Sequence, residues 1–134
     1  MSQARILVVD DDRMLRTLVV YKLSDKGFTV EEAANGEEAL QHVSENTPDL
    51  IILDGMMPGM DGSETLRHLK SDPATSSIPV FMLTARRSEE DIERALRLGA
   101  NDYLAKPFNP DDLVLRIQRF ISERTGESST QKRA

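Results

Sequence analysis

The chain has 134 residues, of which 39% are hydrophobic and 30% are charged, and its net charge at pH 7 is −6. This composition is typical of one folded domain, and it argues against a disordered chain and against nucleic-acid binding through bulk charge. The absence of cysteine excludes disulfides, thiolate metal sites and cysteine nucleophiles. His42 and His68 are the two histidines, too few for a multi-histidine metal cage. No apolar run approaches the roughly 20 residues that span a bilayer, so we expect a cytoplasmic protein that does not bind membranes.

Five short stretches predict β-strands. Four are continuous apolar runs, at residues 6–9, 50–53, 80–83 and, more weakly, 103–105. Continuous runs of this length are typical of strands that are covered on both faces, as in a parallel sheet. Residues 28–33 are more polar, which favours a strand at the edge of the sheet.

Apolar residues at helical spacing predict a helix after each strand. The first stripe comprises Met14, Leu15, Leu18, Val19 and Leu23, and the second comprises Ala39, Leu40 and Val43. The third contains Leu66 and Leu69, the fourth Ile92, Ala95, Leu96 and Leu98, and the fifth Leu113, Leu115, Ile117, Phe120 and Ile121. We expect the fourth stripe to be buried.

Helix boundaries are predicted by capping residues. Asp12, Asn35, Ser88 and Asn109 precede the first, second, fourth and fifth helices, and their side-chain oxygens can accept hydrogen bonds from the first backbone N–H groups. Residues 59–62 are interpreted as a simple turn without chemistry.

The five strands and five helices alternate along the chain. This alternation predicts parallel strands joined by right-handed crossovers, and therefore an α/β fold with a five-stranded sheet between two helical layers. Residues 1–122 are predicted to form the domain, and residues 123–134 are polar and are predicted to be a C-terminal tail or linker stub.

Residues with reactive side chains follow four of the predicted strands. Asp10 and Asp11 follow the first, Asp54 the third, Thr84 the fourth and Lys106 the fifth. The carboxyl ends of parallel strands meet at one edge of the sheet, where open α/β sheets bind their ligands. We therefore expect these side chains to share one site.

The charge of this predicted site calls for a cation. Asp10, Asp11 and Asp54 bring three negative charges against the single positive charge of Lys106. Like charges about 4 Å apart repel by about 4 kcal/mol at an effective dielectric constant near 20. The ligands are hard oxygens, which favour Mg²⁺, Mn²⁺ or Ca²⁺, and three carboxylates suit Mg²⁺ better than a calcium cage.

The remaining groups predict phosphoryl chemistry. Lys106 and Thr84 can each bind one phosphoryl oxygen opposite the metal. Asp54 is central, and a carboxylate can carry a phosphoryl group as a mixed anhydride.

Four separated motifs resemble a known family. The segments ILVVDDD, LIILDGMMPGMDG, FMLTA and NDYLAKPF, in this order, resemble the receiver domain of two-component response regulators. The resemblance covers about residues 4–122. It supplies what the spacing does not, namely the flavodoxin-like strand order 2-1-3-4-5.

The resemblance also assigns roles to individual residues. It implies that Asp54 accepts a phosphoryl group from a phosphohistidine, that Asp11 binds Mg²⁺ directly and that Asp10 binds it through water. The backbone carbonyl of Met56 is implied as a further metal ligand. Thr84 and Tyr103 resemble a coupled switch pair, Lys106 resembles the lysine that pairs with the phosphate, and the peptide bond before Pro107 is implied to be cis.

The partners that the resemblance implies are a sensor histidine kinase or phosphotransfer protein and an unknown downstream target. The fourth helix, fifth strand and fifth helix are the face that receivers use for partners or for a homodimer. Asp102 and Arg116 resemble a charged pair of such dimers, although Ile92, Gln118 and Glu123 break the basic pattern of the subfamily. The receiver is expected to act as a phosphoacceptor that assists its own phosphorylation and dephosphorylation, without an outside substrate and without direct contact to nucleic acid.

Two positions depart from the family pattern in a way that affects the expected lifetime of the phosphoryl group on Asp54. Met56 and Arg86 lie two residues after Asp54 and Thr84, where the family tunes the access of water to the acyl phosphate. Methionine has no acid or amide group that would orient water, so we expect a phosphoryl group that is not unusually short-lived.

Three other classes of function remain open from the residues alone. A haloacid-dehalogenase-like phosphatase also uses aspartate and Mg²⁺, but its D-x-D-x-T motif is broken here by Met14. A flavodoxin-like cofactor binder would place a hydroxyl-rich loop, not three aspartates, after the first strand. The third is a scaffold with this fold that functions without phosphate.

Overall fold

The computed structural model describes residues 4–85 and 88–125. Strands and helices alternate along the chain without exception. They are β1 (Arg5–Val9), α1 (Arg13–Asp25), β2 (Thr29–Ala33), α2 (Gly36–Glu45), β3 (Leu50–Asp54), α3 (Gly62–Ser71), β4 (Val80–Thr84), α4 (Glu89–Arg97), β5 (Asp102–Ala105) and α5 (Pro110–Thr125).

The five strands form one parallel sheet in the order β2-β1-β3-β4-β5. This confirms the order that the family resemblance implied, and it confirms β2 as an edge strand. The central strand β3 is buried along its whole length, in agreement with its continuous apolar sequence.

The core has two layers, one on each face of the sheet. Alternate strand residues point to opposite faces, so Leu7 and Ile51 pack with α2, α3 and α4, whereas Ile6 and Ile52 pack with α1 and α5. The predicted three-layer α/β/α arrangement is therefore confirmed.

The helix caps behave largely as predicted. Asp12 accepts from the N–H groups of Met14 and Leu15 at 3.1 and 3.2 Å, and Asn35 and Ser88 cap α2 and α4 in the same way. The interpretation of residues 59–62 as a simple turn missed one cap, because Asp61 accepts from the N–H of Glu64 at 2.9 Å and begins α3.

The prediction of a wholly buried stripe on α4 is wrong. Ala95 is buried, but Leu96 is 47% exposed. On α1, the apolar residue Met14 is 84% exposed. Helical spacing identifies an apolar face, but these helices flank a sheet that covers only part of that face.

The last helix continues beyond the predicted domain boundary. It extends to Thr125, three residues past residue 122, and its end is held by aromatic contacts. Phe120 packs edge-to-face on Phe81 with ring centroids 5.4 Å apart, and the Arg124 guanidinium lies 5.7 Å from the Phe120 ring centroid. Residues 126–134 of the predicted tail lie outside the described residues. Of the helices described, none combines the length and the apolar character that a bilayer-spanning segment needs.

Candidate functional site

Three carboxylates converge at the carboxyl edge of the sheet. Asp54 is the last residue of β3, and Asp10 follows β1, the neighbouring strand. Asp10 and Asp54 are buried and Asp11 is exposed, and each offers an oxygen within 4.8 Å of the others. The structure thus brings together the acidic residues that the sequence predicted as one cluster.

Three hydrogen bonds fix the position of Asp10, two to its side chain and one to its backbone carbonyl. Its Oδ1 accepts the backbone N–H of Asp12 at 2.9 Å, and its Oδ2 accepts from the Lys106 Nζ at 3.0 Å. The Arg16 guanidinium donates to the backbone carbonyl of Asp10 at 2.7 Å and to the Glu32 carboxylate at 2.8 Å. Sequence reasoning missed Arg16, because no local pattern shows that the first turns of α1 reach the end of β1.

Lys106 reaches the acidic cluster from β5, two strands away from β3. Its Nζ lies 3.2 Å from Asp54 Oδ1 and 3.0 Å from Asp10 Oδ2. The peptide bond between Lys106 and Pro107 is cis, as the resemblance implied. The lysine side chain therefore spans the gap between the strands, and Lys106 shares one site with the aspartates as expected.

The excess of negative charge at the site shifts the pKa values of Asp54 and Lys106. Burial and the charge of Asp10 raise the pKa of Asp54 to about 7, although Lys106 and the Met56 N–H act to lower it. Burial lowers the pKa of Lys106, but the hydrogen bond to Asp10 and the charges of Asp10 and Asp54 raise it overall. One ammonium group does not balance three carboxylates, so the site favours a further cation.

The donor set fits a hard divalent cation. All three candidate ligands are carboxylate oxygens, and two of them belong to buried residues that water solvates poorly. Across residues 4–85 and 88–125, no other group of three acidic or histidine side chains has this spacing.

Thr84 lies at the end of β4 beside the acidic cluster and is buried. A Cβ on Gly55 would lie 2.7 Å from the Thr84 Oγ1, and a Cβ on Gly62 would collide with the backbone carbonyl of Asp54. Glycine at these two positions therefore lets Thr84 and α3 approach Asp54 closely. Neither glycine is identified as part of the site by the sequence alone, although both follow an aspartate within the family motif.

Tyr103 is half-buried in β5, the strand next to the β4 strand that ends at Thr84. Together with Gly55, Thr84 and Arg94 of α4, it borders a cavity of about 10 Å³. The structure places Tyr103 and Thr84 in one neighbourhood, and the switch role stays a prediction.

Met56 contributes its backbone to the site. Its N–H donates to Asp54 Oδ1 at 3.3 Å, and its side chain is 49% exposed. The metal-binding role of its carbonyl stays a prediction, and Arg86, the other position predicted to affect water access, lies outside the described residues.

Comparison with known proteins identifies the family. The profile of the response regulator receiver domain matches residues 6–118. The phosphate regulon transcriptional regulatory protein PhoB of Escherichia coli (strain K12) is 47% identical over 114 residues, which cover 85% of this chain and 50% of PhoB. The chain therefore spans about half the length of the curated relatives that it matches.

Solved structures agree with this assignment. The Vibrio cholerae chemotaxis protein CheY4 is 37% identical, with a TM-score of 0.83 over 88% of this chain and 98% of CheY4. A CheY-like receiver domain protein from Methanospirillum hungatei is 32% identical, with a TM-score of 0.86 over 94% of this chain and 99% of that one. The chain belongs to the family of response regulator receiver domains, the signalling switches of two-component systems.

Proposed function

We propose that Asp54 accepts a phosphoryl group from the phosphohistidine of a partner protein, with Mg²⁺ bound by the acidic cluster. The observation that carries this proposal is the position of Lys106, whose ammonium group lies 3.2 Å from Asp54 and 3.0 Å from Asp10. A lysine placed between two buried carboxylates can pair with a phosphoryl oxygen on the acceptor.

The transfer breaks one bond and forms another. A carboxylate oxygen of Asp54 attacks phosphorus, the P–N bond to the partner's histidine breaks, and a P–O bond to Asp54 forms. Lys106 then pairs with one phosphoryl oxygen and the Thr84 hydroxyl donates to another. Asp11, Asp54 and the carbonyl of Met56 are the proposed direct ligands of Mg²⁺, and Asp10 is proposed to bind it through water. The ion would supply charge neutralisation for the incoming phosphoryl oxygens.

The proposed role is that of a phosphoacceptor, not of an enzyme with an outside substrate. The same residues would assist both the arrival and the hydrolytic loss of the phosphoryl group. In contrast to aspartate-based phosphatases, no D-x-D-x-T motif follows β1, because Asp10 is followed by Asp11, Asp12, Arg13 and Met14.

Phosphorylation is proposed to shift a conformational equilibrium. Thr84 would move towards the phosphoryl group, and Tyr103 would turn inward behind it. Because Tyr103 lies in β5 beside α4, this change would alter the face formed by α4, β5 and α5, which is the proposed surface for a downstream target.

The kinase or phosphotransfer protein is proposed to dock beside the acidic cluster. Met14, Leu18 and Tyr21 form an exposed apolar stripe on α1, at helical spacing, and α1 begins at the Asp12 cap next to Asp11. A helical partner that packs on this stripe would hold its phosphohistidine close to Asp54. The location proposed for this encounter is the cytoplasm.

A homodimer through α4, β5 and α5 is also proposed. Arg116 pairs with Asp102 of the same chain at 3.1 Å, and this hydrogen bond raises the pKa of Arg116. A dimer that used these charges would have to share or exchange this pair.

The domain limits of residues 1–122 and the lack of contact with nucleic acid stay predictions for the receiver segment.

The test is incorporation of one phosphoryl group from a small phosphodonor. The protein is incubated with acetyl phosphate, with Mg²⁺ or with excess chelator, and its intact mass is measured. We expect one added phosphoryl group with Mg²⁺ and little or none with chelator. Turnover of a general phosphate ester without a stable label would instead favour the phosphatase class.

A further inference from the structure

Of the five methionines among the described residues, two are open to solvent, two are buried, and Met60 is half-buried. Met14 is 84% exposed and Met56 is 49% exposed, but Met57 is 7% exposed and Met82 is 2% exposed. A thioether reacts with peroxide in proportion to its access, so the fold protects Met57 and Met82 and leaves Met56 open.

Met56 is the exposed methionine that is tied directly to the acceptor. Its backbone N–H donates to Asp54 Oδ1 at 3.3 Å, and covalent geometry limits the sulfur of a methionine to about 5 Å from its own nitrogen. The Met56 sulfur therefore lies within about 8 Å of the Asp54 carboxylate, at any side-chain rotamer. This distance is short enough for one ordered water molecule to bridge a group on this side chain and a phosphoryl group on Asp54.

We infer that Met56 is a peroxide-sensitive modification site and that its sulfoxide shortens the lifetime of the phosphoryl group on Asp54. This inference rests on the proposed function of Asp54. Hydrogen peroxide oxidises the thioether by two electrons: the O–O bond breaks, one oxygen forms the S–O bond, and the other leaves as water.

The effect follows from the polarity of the modified side chain. The unmodified thioether is a weak hydrogen-bond acceptor, whereas a sulfoxide oxygen is a strong one and can orient a water molecule. Water that attacks phosphorus breaks the P–O bond to Asp54 and releases inorganic phosphate. Oxidation of Met56 would thus supply the polar group that this position lacks, and an oxidant would turn the signal off sooner.

The experiment compares the decay of the labelled chain before and after mild peroxide treatment. The chain is labelled with acetyl phosphate and Mg²⁺, the donor is removed, and the loss of the phosphoryl mass is followed with time. Peptide mapping of the same samples measures the sulfoxide at each methionine. Met14→Leu and Met56→Leu are matched variants, because both remove an exposed thioether and only one of the two residues bonds to Asp54.

We expect peroxide to oxidise Met14 and Met56 before Met57 and Met82, and to speed the loss of the phosphoryl group several-fold in the wild type and in Met14→Leu. Met56→Leu should show no acceleration, and methionine sulfoxide reductase should restore the slow decay of the wild type. Unchanged decay with Met56 oxidised, or equal acceleration in Met56→Leu, would overturn this inference alone. A chain that takes up no phosphoryl group before peroxide is added would overturn the proposed function, and the effect on lifetime with it.

Discussion

The two ends of the sheet differ both in charge and in the size of their cavities. At the amino edge, Lys26, Asp49 and Arg124 line a cavity of about 490 Å³, and the Asp49 carboxylate accepts the backbone N–H of Arg5 at 2.7 Å. At the carboxyl edge, the cavity beside Thr84 and Tyr103 measures about 10 Å³ and the cavity beside Asp11 about 190 Å³, and three carboxylates meet at this edge with a single ammonium group.

The comparison shows that cavity size is a poor guide to the site of this protein. The wider cavity is lined by charges of both signs, and its carboxylate, Asp49, is exposed to solvent. The carboxyl edge holds two buried carboxylates, and their mutual repulsion opposes folding. Proteins retain such an arrangement mainly where function requires it.

Removal of the acceptor carboxylate should eliminate labelling. Asp54→Asn keeps the size of the side chain and should fold, but its amide cannot form the mixed anhydride. Intact mass after incubation with acetyl phosphate and Mg²⁺ should show no phosphoryl group. Asp49→Asn, at the amino edge, is the matched control and should be labelled like the wild type. Stoichiometric labelling of Asp54→Asn would move the acceptor elsewhere.

Without a divalent cation, the stability of the fold should fall as pH rises from about 4 to about 7. The folded chain raises the pKa of Asp54 from 3.8 to about 7, so it holds a proton that the unfolded chain releases. Complete ionisation then costs at most about 4 kcal/mol. Urea unfolding across this pH range measures the slope, which Asp54→Asn should reduce and Mg²⁺ should also reduce. The same slope in wild type and variant would contradict the assignment to Asp54.

Loss of the Lys106 ammonium should destabilise the metal-free protein by about 3 kcal/mol near pH 8, because two buried carboxylates lose their counter-charge. Lys106→Met should be unfolded by less urea than the wild type, and Mg²⁺ should recover part of the difference. Lys70→Met is the control, since the Lys70 Nζ donates to the carbonyls of Ser76 and Ile78 and not to a carboxylate. If Lys106→Met lost the same stability with and without Mg²⁺, the lysine and the metal would not act on the same carboxylates.

Binding of Mg²⁺ should stabilise the fold by about 1.4 kcal/mol at ten times its Kd, which corresponds to about 5 °C in Tm. Thermal unfolding followed by circular dichroism measures this shift, and calorimetric titration measures Kd. Asp11→Ala should reduce the shift and raise the Kd for Mg²⁺, whereas Asp49→Ala should leave the shift due to Mg²⁺ unchanged. The absence of any shift, with no metal bound in the titration, would remove Mg²⁺ from the account.

Asp12, the third aspartate after β1, should contribute only to the stability of α1. Asp12 caps α1 through the N–H groups of Met14 and Leu15, so Asp12→Ala should cost about 1 kcal/mol of stability. Labelling and the affinity for Mg²⁺ should stay as in the wild type. A loss of Mg²⁺ affinity in this variant would show that Asp12 belongs to the metal site.

Much of the fold is readable from local patterns. The apolar run at residues 50–53 predicts a strand buried on both faces, and Asp12, Asn35 and Ser88 predict helix starts, because each pattern depends only on neighbouring residues. The convergence of Asp10, Asp54 and Lys106 follows from the rule that parallel strands end at a common edge.

Other features depend on which elements become neighbours in space. The strand order came from the family resemblance, since alternation alone permits several orders. The bond from Arg16 to the carbonyl of Asp10, the close approach that Gly55 and Gly62 allow, and the exposure of Leu96 all arise from the placement of helices on the sheet. No local pattern carries that information.

The most direct test of the central claim is to locate the phosphoryl group within the labelled chain. After reaction with acetyl phosphate and Mg²⁺, the chain is digested and its fragments are sequenced by mass spectrometry under conditions that preserve acyl phosphates. The account predicts one phosphoryl group, on Asp54, in the fragment that contains β3. A label on His42, His68 or any carboxylate outside the cluster at the carboxyl edge would contradict it.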